Sequence, residues 1–174
     1  MNQVVLGLGS NLGDRLAYLQ YAVDMLRRVP KTNVLAVSRV YETDPVGEVT
    51  DQPAFLNAAL LLETDLSPKT ILGVSLGIEA AAGRVRTVRG GPRVLDMDVL
   101  LYENVKRDSF ELTLPHPRMH ERAFVLVPLH DLFPSGRALG FNFGSRLRET
   151  DTSGVLETLY TLRLEDTEDG IQTH

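Results

Sequence analysis

Cysteine is absent from this 174-residue chain, which excludes disulfides, thiolate nucleophiles and Cys-based zinc sites by counting alone. Positive charge is in deficit as well, with 18 lysines and arginines against 23 aspartates and glutamates and a formal net charge of −5. A general nucleic-acid or membrane-surface binder needs a positive field over much of its surface, so both classes are disfavoured and any polyanion must meet a local basic patch. Aromatic residues make up only 6% of the chain, too few for a sheet that stacks single-stranded bases. No apolar stretch reaches bilayer-spanning length, and the chain opens on the strand-like QVVLGLG with no charged-then-apolar leader, so a cytoplasmic protein is expected. Repeats, linkers and low-complexity segments are also lacking, and the length fits one compact domain over 1–174.

The elements present alternate in type. Val4 to Leu8 is short, apolar and β-rich and ends in Gly9, Ser10 and Asn11, which are turn and cap residues. From Asp14 onward Leu16, Leu19, Val23, Leu26 and Val29 recur every three or four residues, the stripe of a helix stopped by Pro30. Asn33 to Thr43 and Phe55 to Thr64 read as strands, the second apolar enough to be central. Ser67 and Pro68 cap a second helix that carries Ile71, Leu72, Ser75 and Ile78 and closes at Gly83. Leu95 to Tyr102 is a further strand. The order β-α-β-β-α-β predicts an α+β, ferredoxin-like fold with an antiparallel sheet and additional C-terminal elements. From Arg148 onward acids outnumber arginines, so that end is expected to be solvated, with 163–174 a frayed acidic tail.

The chemistry concentrates in GRVRTVRGGPRVLDMD. Arg84, Arg86, Arg89 and Arg93 fall in a stretch without an acid, on a loop with Gly90 and Gly91. Guanidinium groups grip phosphate oxygens in pairs, so the loop is a candidate polyanion site; a merely solvated basic loop is the alternative. Asp96 and Asp98 follow at once. On a strand, positions i and i+2 face one side about 6.6 Å apart, and two carboxylates so placed repel unless a cation lies between them. Oxygen-only ligands in that arrangement suit Mg²⁺ shared with substrate phosphates. Arginines for phosphate beside carboxylates for Mg²⁺ are the two halves of a phosphoryl-transfer site. Leu95, Met97 and Val99 alternate to the opposite face and pack the core. His116 and His120 stand at i,i+4, the spacing of a zinc pair, but Pro115 and Pro117 argue against a regular helix there and no third ligand is signalled nearby.

In these segments, LGLGSNLGDR, QPAFLNA, GRVR, RGGPRVLDMDVLL and PHPRMHERAFVL, the chain resembles the 6-hydroxymethyl-7,8-dihydropterin pyrophosphokinase family of folate biosynthesis. Several motifs in one order are specific where GSN or D-x-D alone is not. The resemblance covers most of the chain and thins after Pro134. It implies transfer of a pyrophosphoryl group from ATP to the pterin hydroxymethyl oxygen, giving AMP and the pterin diphosphate. It also implies two Mg²⁺ ions on Asp96 and Asp98, and ATP contacts from Glu79, Arg84, Arg86, Arg89, Arg93, His116 and Arg122. Of these, Arg84 and Arg93 join the two aspartates as catalytic candidates that offset developing phosphate charge. For Glu79 a helix-surface position is the stronger alternative. Thr43, Val46, Gly47, Phe55, Asn57 and Phe124 match pterin-site positions; Asn57 in an apolar strand needs a polar partner, ligand or backbone, and both phenylalanines could equally be core. Pterin and ATP are the expected partners, with neither nucleic acid nor membrane, and a monomer is favoured over an oligomer.

Three positions depart from the family pattern. Gly90 stands where an aromatic residue is common, Leu76 where glutamine is common, and Met97 in place of a branched aliphatic. None removes a metal or phosphate ligand, so activity is expected to persist with altered pterin affinity. The competing classes are an RNA-binding ferredoxin-like module, a Mg²⁺ nucleotidyl transferase that releases pyrophosphate, and a non-catalytic pterin binder.

Overall fold

The computed structural model describes residues 1–45, 49, 51–85 and 89–165. The chain runs β1 (Asn2–Ser10), α1 (Arg15–Leu26), β2 (Thr32–Val37), β3 (Tyr41–Thr43), β4 (Phe55–Thr64), α2 (Pro68–Ala81) and β5 (Asp96–Tyr102). It continues through the hairpin β6 (Arg107–Asp108) and β7 (Thr113–Leu114), then α3 (Ala123–Leu132), a hairpin of β8 (Arg137–Ala138) and β9 (Phe141–Asn142), α4 (Gly144–Glu149) and β10 (Val155–Glu157). Among the described residues six strands form the main sheet, in the order β10-β3-β4-β1-β5 with β2 also on β4, and every pairing is antiparallel. The expected α+β order is therefore present.

Local chemistry starts the helices where the sequence indicates. Asp14 accepts the Ala17 N–H at 3.1 Å and Ser67 accepts that of Thr70 at 3.2 Å, each satisfying a first-turn donor that has no intrahelical partner. Leu19, Ala22, Val23 and Leu26 of α1, with Ile71 and Ile78 of α2, then bury their stripes against Val4, Leu6, Leu8, Leu60, Met97 and Val99 on one sheet face. On the other face α3 sets Val125, Leu126 and Leu129 over Val5, Leu100 and Leu101. β1 and β5 lose regular register between Val5 and Leu6, because Val5 pairs with Leu101 while Leu6 pairs with Val99. Leu100 is thus the extra residue of a β-bulge and joins Leu101 on the α3 side.

Two expectations change. The single strand foreseen over 33–43 is two strands, because Ser38 interrupts it: its Oγ accepts the Ala59 N–H at 2.8 Å, replacing a ladder bond, and the register on β4 has already shifted between Val34 and Ala36. The realigned β3 brings Thr43 opposite Phe55 and Tyr41 opposite Asn57. The tail is not solvated from Arg148. β10 pairs with β3, Leu162 is buried in the core, and Arg163 exchanges hydrogen bonds with Gln20 of α1 at 2.9 and 3.0 Å. Alternating acids mask this in the sequence, since a three-residue edge strand leaves most of its side chains in water. Residues 166–174 of the expected acidic tail lie outside the described residues.

Leu162→Ala is expected to destabilise the protein by about 2 kcal/mol through loss of buried methyl groups, measured by denaturant unfolding; a tail that does not contribute to the core would show no change.

Candidate active site

β5 begins at Asp96, directly after the arginine loop. Gly9 of β1 pairs with Asp96 and Gly7 with Asp98, so both carboxylates rise from one sheet face beside two residues that have no side chain. Arg84, just past α2, donates to Asp96 Oδ1 at 2.7 Å, to the Leu95 carbonyl at 3.3 Å and to Glu79 Oε2. Arg93 Nη2 lies 3.4 Å from Asp96 Oδ2. Among the described residues Asp98 has no such ion pair. Its burial first, and the neighbouring Asp96 charge second, push its carboxyl from 3.8 up to about 7, against the opposing charges of Arg122 and Arg93. Glu79 is not on the helix surface: it is buried, and Oε2 accepts the Met97 N–H at 2.9 Å as well as Arg84. A solvent-facing glutamate could not reach the β5 backbone; this one ties α2 to the strand that carries the aspartates.

A cleft of about 290 Å³ opens beside the pair, lined by the polar side chains of Asp96, Asp98, Glu79 and His116 together with the apolar ones of Leu72, Leu76, Phe110 and Leu112. The His116 backbone N–H donates to the Leu100 carbonyl at 2.9 Å and its Nδ1 accepts the Arg118 N–H at 3.2 Å, which leaves the ring proton on Nε2. Burial, then the charge of Arg122, holds the imidazole below its usual range, so it is a neutral donor at pH 7. His120 lies beside Glu121 on the short 3-10 turn Met119–Glu121, outside the cleft lining.

Across β1, on the same face, lies a second pocket wall. Gly9 pairs with Asn57 on one side and Asp96 on the other. A Cβ placed on Gly9 would stand 3.0 Å from Asn57 Oδ1, 3.7 Å from Phe55 and 3.9 Å from the Asp96 Cβ, so a methyl group would crowd Asn57 and fill the space up to ordinary contact with Asp96. Asn57 Nδ2 donates to Thr43 Oγ1 at 2.6 Å; the polar partner that the sequence calls for is another side chain, not backbone. Phe55 is half-buried with the Arg93 guanidinium 4.9 Å above its ring, and Phe124 stands under Arg122 at 5.6 Å. Both phenylalanines therefore face the arginines of the site.

Residues 5–134, which hold all of these groups, match the family described as 7,8-dihydro-6-hydroxymethylpterin-pyrophosphokinase (HPPK). The chain belongs to the HPPK family. It is 48% identical over 155 residues to a 2-amino-4-hydroxy-6-hydroxymethyldihydropteridine pyrophosphokinase of Methylorubrum extorquens, covering 89% of this chain and 98% of that relative. A Bacillus subtilis protein of the same name is 46% identical over 133 residues, 76% of this chain and 79% of the relative. Among solved structures, a Plasmodium falciparum HPPK-DHPS superposes with a TM-score of 0.61 over 86% of this chain at 16% identity, and supports the fold alone. This chain spans 43% of that one.

The arrangement in this HPPK chain depends on residues that the sequence marked only as turn and cap. Asn11 Nδ2 donates to Gln52 Oε1 at 2.9 Å and to the Pro53 carbonyl at 3.0 Å, while its Oδ1 accepts the Arg93 N–H at 2.8 Å and its own N–H donates to the Arg93 carbonyl at 3.1 Å. Gln52 Nε2 reaches on to the Gly90 carbonyl at 3.0 Å. Arg15 donates to the Ala54 carbonyl at 3.0 Å and pairs with Glu42 at 3.0 Å. The loop before β4 and the arginine loop are thus fastened together through the end of β1. The GSNLGDR spacing could have signalled this, since an asparagine on a buried strand end must satisfy donors and an acceptor at once.

Arg89 is exposed, and Gly90 adopts φ +73, a conformation any side chain there would strain. An aromatic residue at Gly90 would therefore strain this loop conformation. Met97 is buried core, and Leu76 stands 42% exposed at the cleft mouth. Val46, Gly47 and Arg86 lie outside the described residues. Among the described residues no helix is long and apolar enough to cross a membrane, and the sheet face that would stack RNA bases is roofed by α3 over Val5 and Leu101.

Asn11→Ala removes three side-chain hydrogen bonds and is expected to cost about 2 kcal/mol in unfolding free energy and to lower kcat/KM at least about tenfold by loosening Arg93. A second expectation concerns pH. Because the folded state holds the Asp98 proton up to about 7 whereas an ordinary carboxyl releases it near 3.8, stability of the metal-free protein falls as pH rises between those values. Asp98→Asn removes that loss, and thermal unfolding is expected to show the variant more stable by about 1–2 kcal/mol at pH 8 with little difference below pH 4.

Proposed function

We propose that this chain transfers the pyrophosphoryl group of ATP to the hydroxymethyl oxygen of 6-hydroxymethyl-7,8-dihydropterin, with Asp96 and Asp98 holding Mg²⁺. The observation that carries the reading is the register Asp96–Gly9–Asn57: a carboxylate pair beside a cleft, and a wall of flat and amide side chains, lie one strand apart on one sheet face. The donor set fits magnesium. An Asp98 carboxyl pushed up first by burial and then by the Asp96 charge is short of positive charge, and oxygen-only ligands are the ones this cation takes. Two ions, shared with the phosphates, fit two carboxylates that supply too few oxygens to enclose either ion alone. When bound, they would offset negative charge on the transferring phosphoryl oxygens.

Each described residue then has a task. Arg84, fixed by Glu79 and the Leu95 carbonyl, and Arg93, fixed by Asn11, present guanidinium groups to the phosphates from positions that need little reorganisation. His116 offers its Nε2 proton to the nucleotide, and Arg122, over the Phe124 ring, adds a further positive charge. Arg89 and Arg86 add positive charge from the loop. Thr43, Asn57, Phe55 and Phe124, with Val46 and Gly47, hold the pterin by its ring faces and amide edge. The hydroxymethyl oxygen attacks the β-phosphorus, the bond from that phosphorus to the α-phosphate oxygen breaks, and AMP leaves. No covalent enzyme intermediate is needed, so the side chains act by positioning and charge.

The test resolves products from ATP, Mg²⁺ and the hydroxymethyl pterin. AMP formed one-for-one with pterin diphosphate is expected, whereas pyrophosphate release would mark a nucleotidyl transferase and ADP a simple kinase. Asp98→Ala is expected to lower turnover by at least about a thousandfold, and EDTA to abolish it; full magnesium-dependent turnover in that variant would sink the assignment.

A further inference from the structure

The register row Asp96–Gly9–Asn57 does not end at Asn57. Tyr41 of β3 pairs with Asn57 on the far side, and directly opposed residues of an antiparallel pair project from one face with Cβ atoms about 5 Å apart. Tyr41 is therefore the next side chain behind the amide. It is buried, and its hydroxyl donates away from the site to Asp131 Oδ2 of α3 at 2.8 Å. The same carboxylate accepts the Arg39 backbone N–H at 3.1 Å, Arg39 Nε at 3.3 Å and Arg39 Nη2 at 2.7 Å. Four donors from two residues thus converge on a side chain that is only 10% exposed.

A carboxylate taken out of water costs stability unless its partners are complete, and apolar packing in its place is commonly neutral or better. What the hub supplies is direction. β3 is three residues long, is separated from β2 by the break at Ser38, and ends at Thr43, whose Oγ1 accepts the Asn57 amide N–H at 2.6 Å. So short a strand has few ladder bonds to fix it, whether on β4 or on β10. α3 carries Phe124 in its first turn and Asp131 in its last. Asp131 thus ties the strand that orients Asn57 to the helix that carries Phe124. The ion pair of Arg39 with Glu157 adds little, since both side chains are more than half exposed and water screens them. We propose that Asp131 is a positioning residue for the pterin: acting through Tyr41, it holds the Thr43–Asn57 hydrogen bond in place relative to Phe124 and touches no substrate itself. The role rests on the reading that this wall takes the pterin.

The experiment separates pterin from nucleotide. Tyr41→Phe removes one hydroxyl and keeps the buried ring, and Asp131→Asn keeps the shape of the hub and removes its charge. Each is expected to weaken binding of the hydroxymethyl pterin about tenfold, the scale of one lost hydrogen bond to a charged group, measured by calorimetry with a non-transferable ATP analogue and Mg²⁺ present. The affinity for the analogue itself is expected to stay unchanged. The double variant is expected to lose no more than the larger single loss, since both substitutions act through one bond. In the ligand-free protein, the Asn57 side-chain amide signals in heteronuclear NMR are expected to shift in Asp131→Asn, which alters no group next to Asn57; a hub that only adds stability would leave them in place. Unchanged pterin affinity in both variants, equal losses for pterin and analogue, or unmoved Asn57 signals would each overturn the positioning role. A wild-type chain that binds the analogue but no pterin would instead overturn the reading of the wall, and the role of Asp131 toward pterin with it.

Discussion

Two carboxylates on alternate positions of one strand repel each other, and much of the surrounding structure answers that repulsion. Asp96 receives Arg84 and Arg93, while Asp98 is left with an elevated proton affinity and, among the described residues, no ion pair. Arg84 is held from a second side by buried Glu79, and the Met97 N–H and Arg84 both donate to that buried carboxylate. The charge pattern thus runs outward from β5 into α2 without a break, and what it leaves unbalanced, at Asp98, faces the cleft. A ligand that brings cations and phosphates together completes the pattern.

The opposite walls of the site come from the division of one sheet face. α3 covers the end of that face where Val5, Leu100 and Leu101 project, and stops short of the end where Gly7, Gly9, Asp96 and Asn57 lie in register. Glycine at these two β1 positions lowers the floor, so that groups on β4 and β5 can converge above it. Asn11 continues the same strand and fastens both flanking loops to it. A central strand buried on both faces is the least mobile element of such a sheet, which makes it a firm datum for loops that carry arginine.

Legibility in the sequence followed the range over which each signal acts. Caps at Asp14 and Ser67, the stripes of α1 and α2, and the alternation of Asp96 and Asp98 are local, and the chain displays them openly. The family motifs carried the arginines and Phe55, Asn57 and Phe124. What stayed hidden depends on partners far away in sequence. Glu79 reads as a surface residue until β5 is laid beside α2, and Asn11 as a cap until Gln52 and Arg93 are brought to it. β10 reads as solvated tail, since the hydrogen bonds that make it a strand belong to β3. The break at Ser38 was hidden for another reason: serine suits a strand or a turn equally, and its hydroxyl decided the matter by bonding to Ala59.

The bulge at Leu100 gives β5 two parities. Before it, even-numbered residues point to the site; after it, Leu101 faces α3 and the even-numbered Tyr102 turns to the helical side, where its hydroxyl donates to the Leu66 carbonyl at 2.6 Å. One extra residue therefore keeps the aspartate-bearing and packing halves of the strand in phase with different neighbours. Length, more than side-chain identity, is the constrained quantity in this strand: shortening it by one residue would force a choice between turning the aspartates away from the cleft and turning Leu101 and Tyr102 out of the two cores.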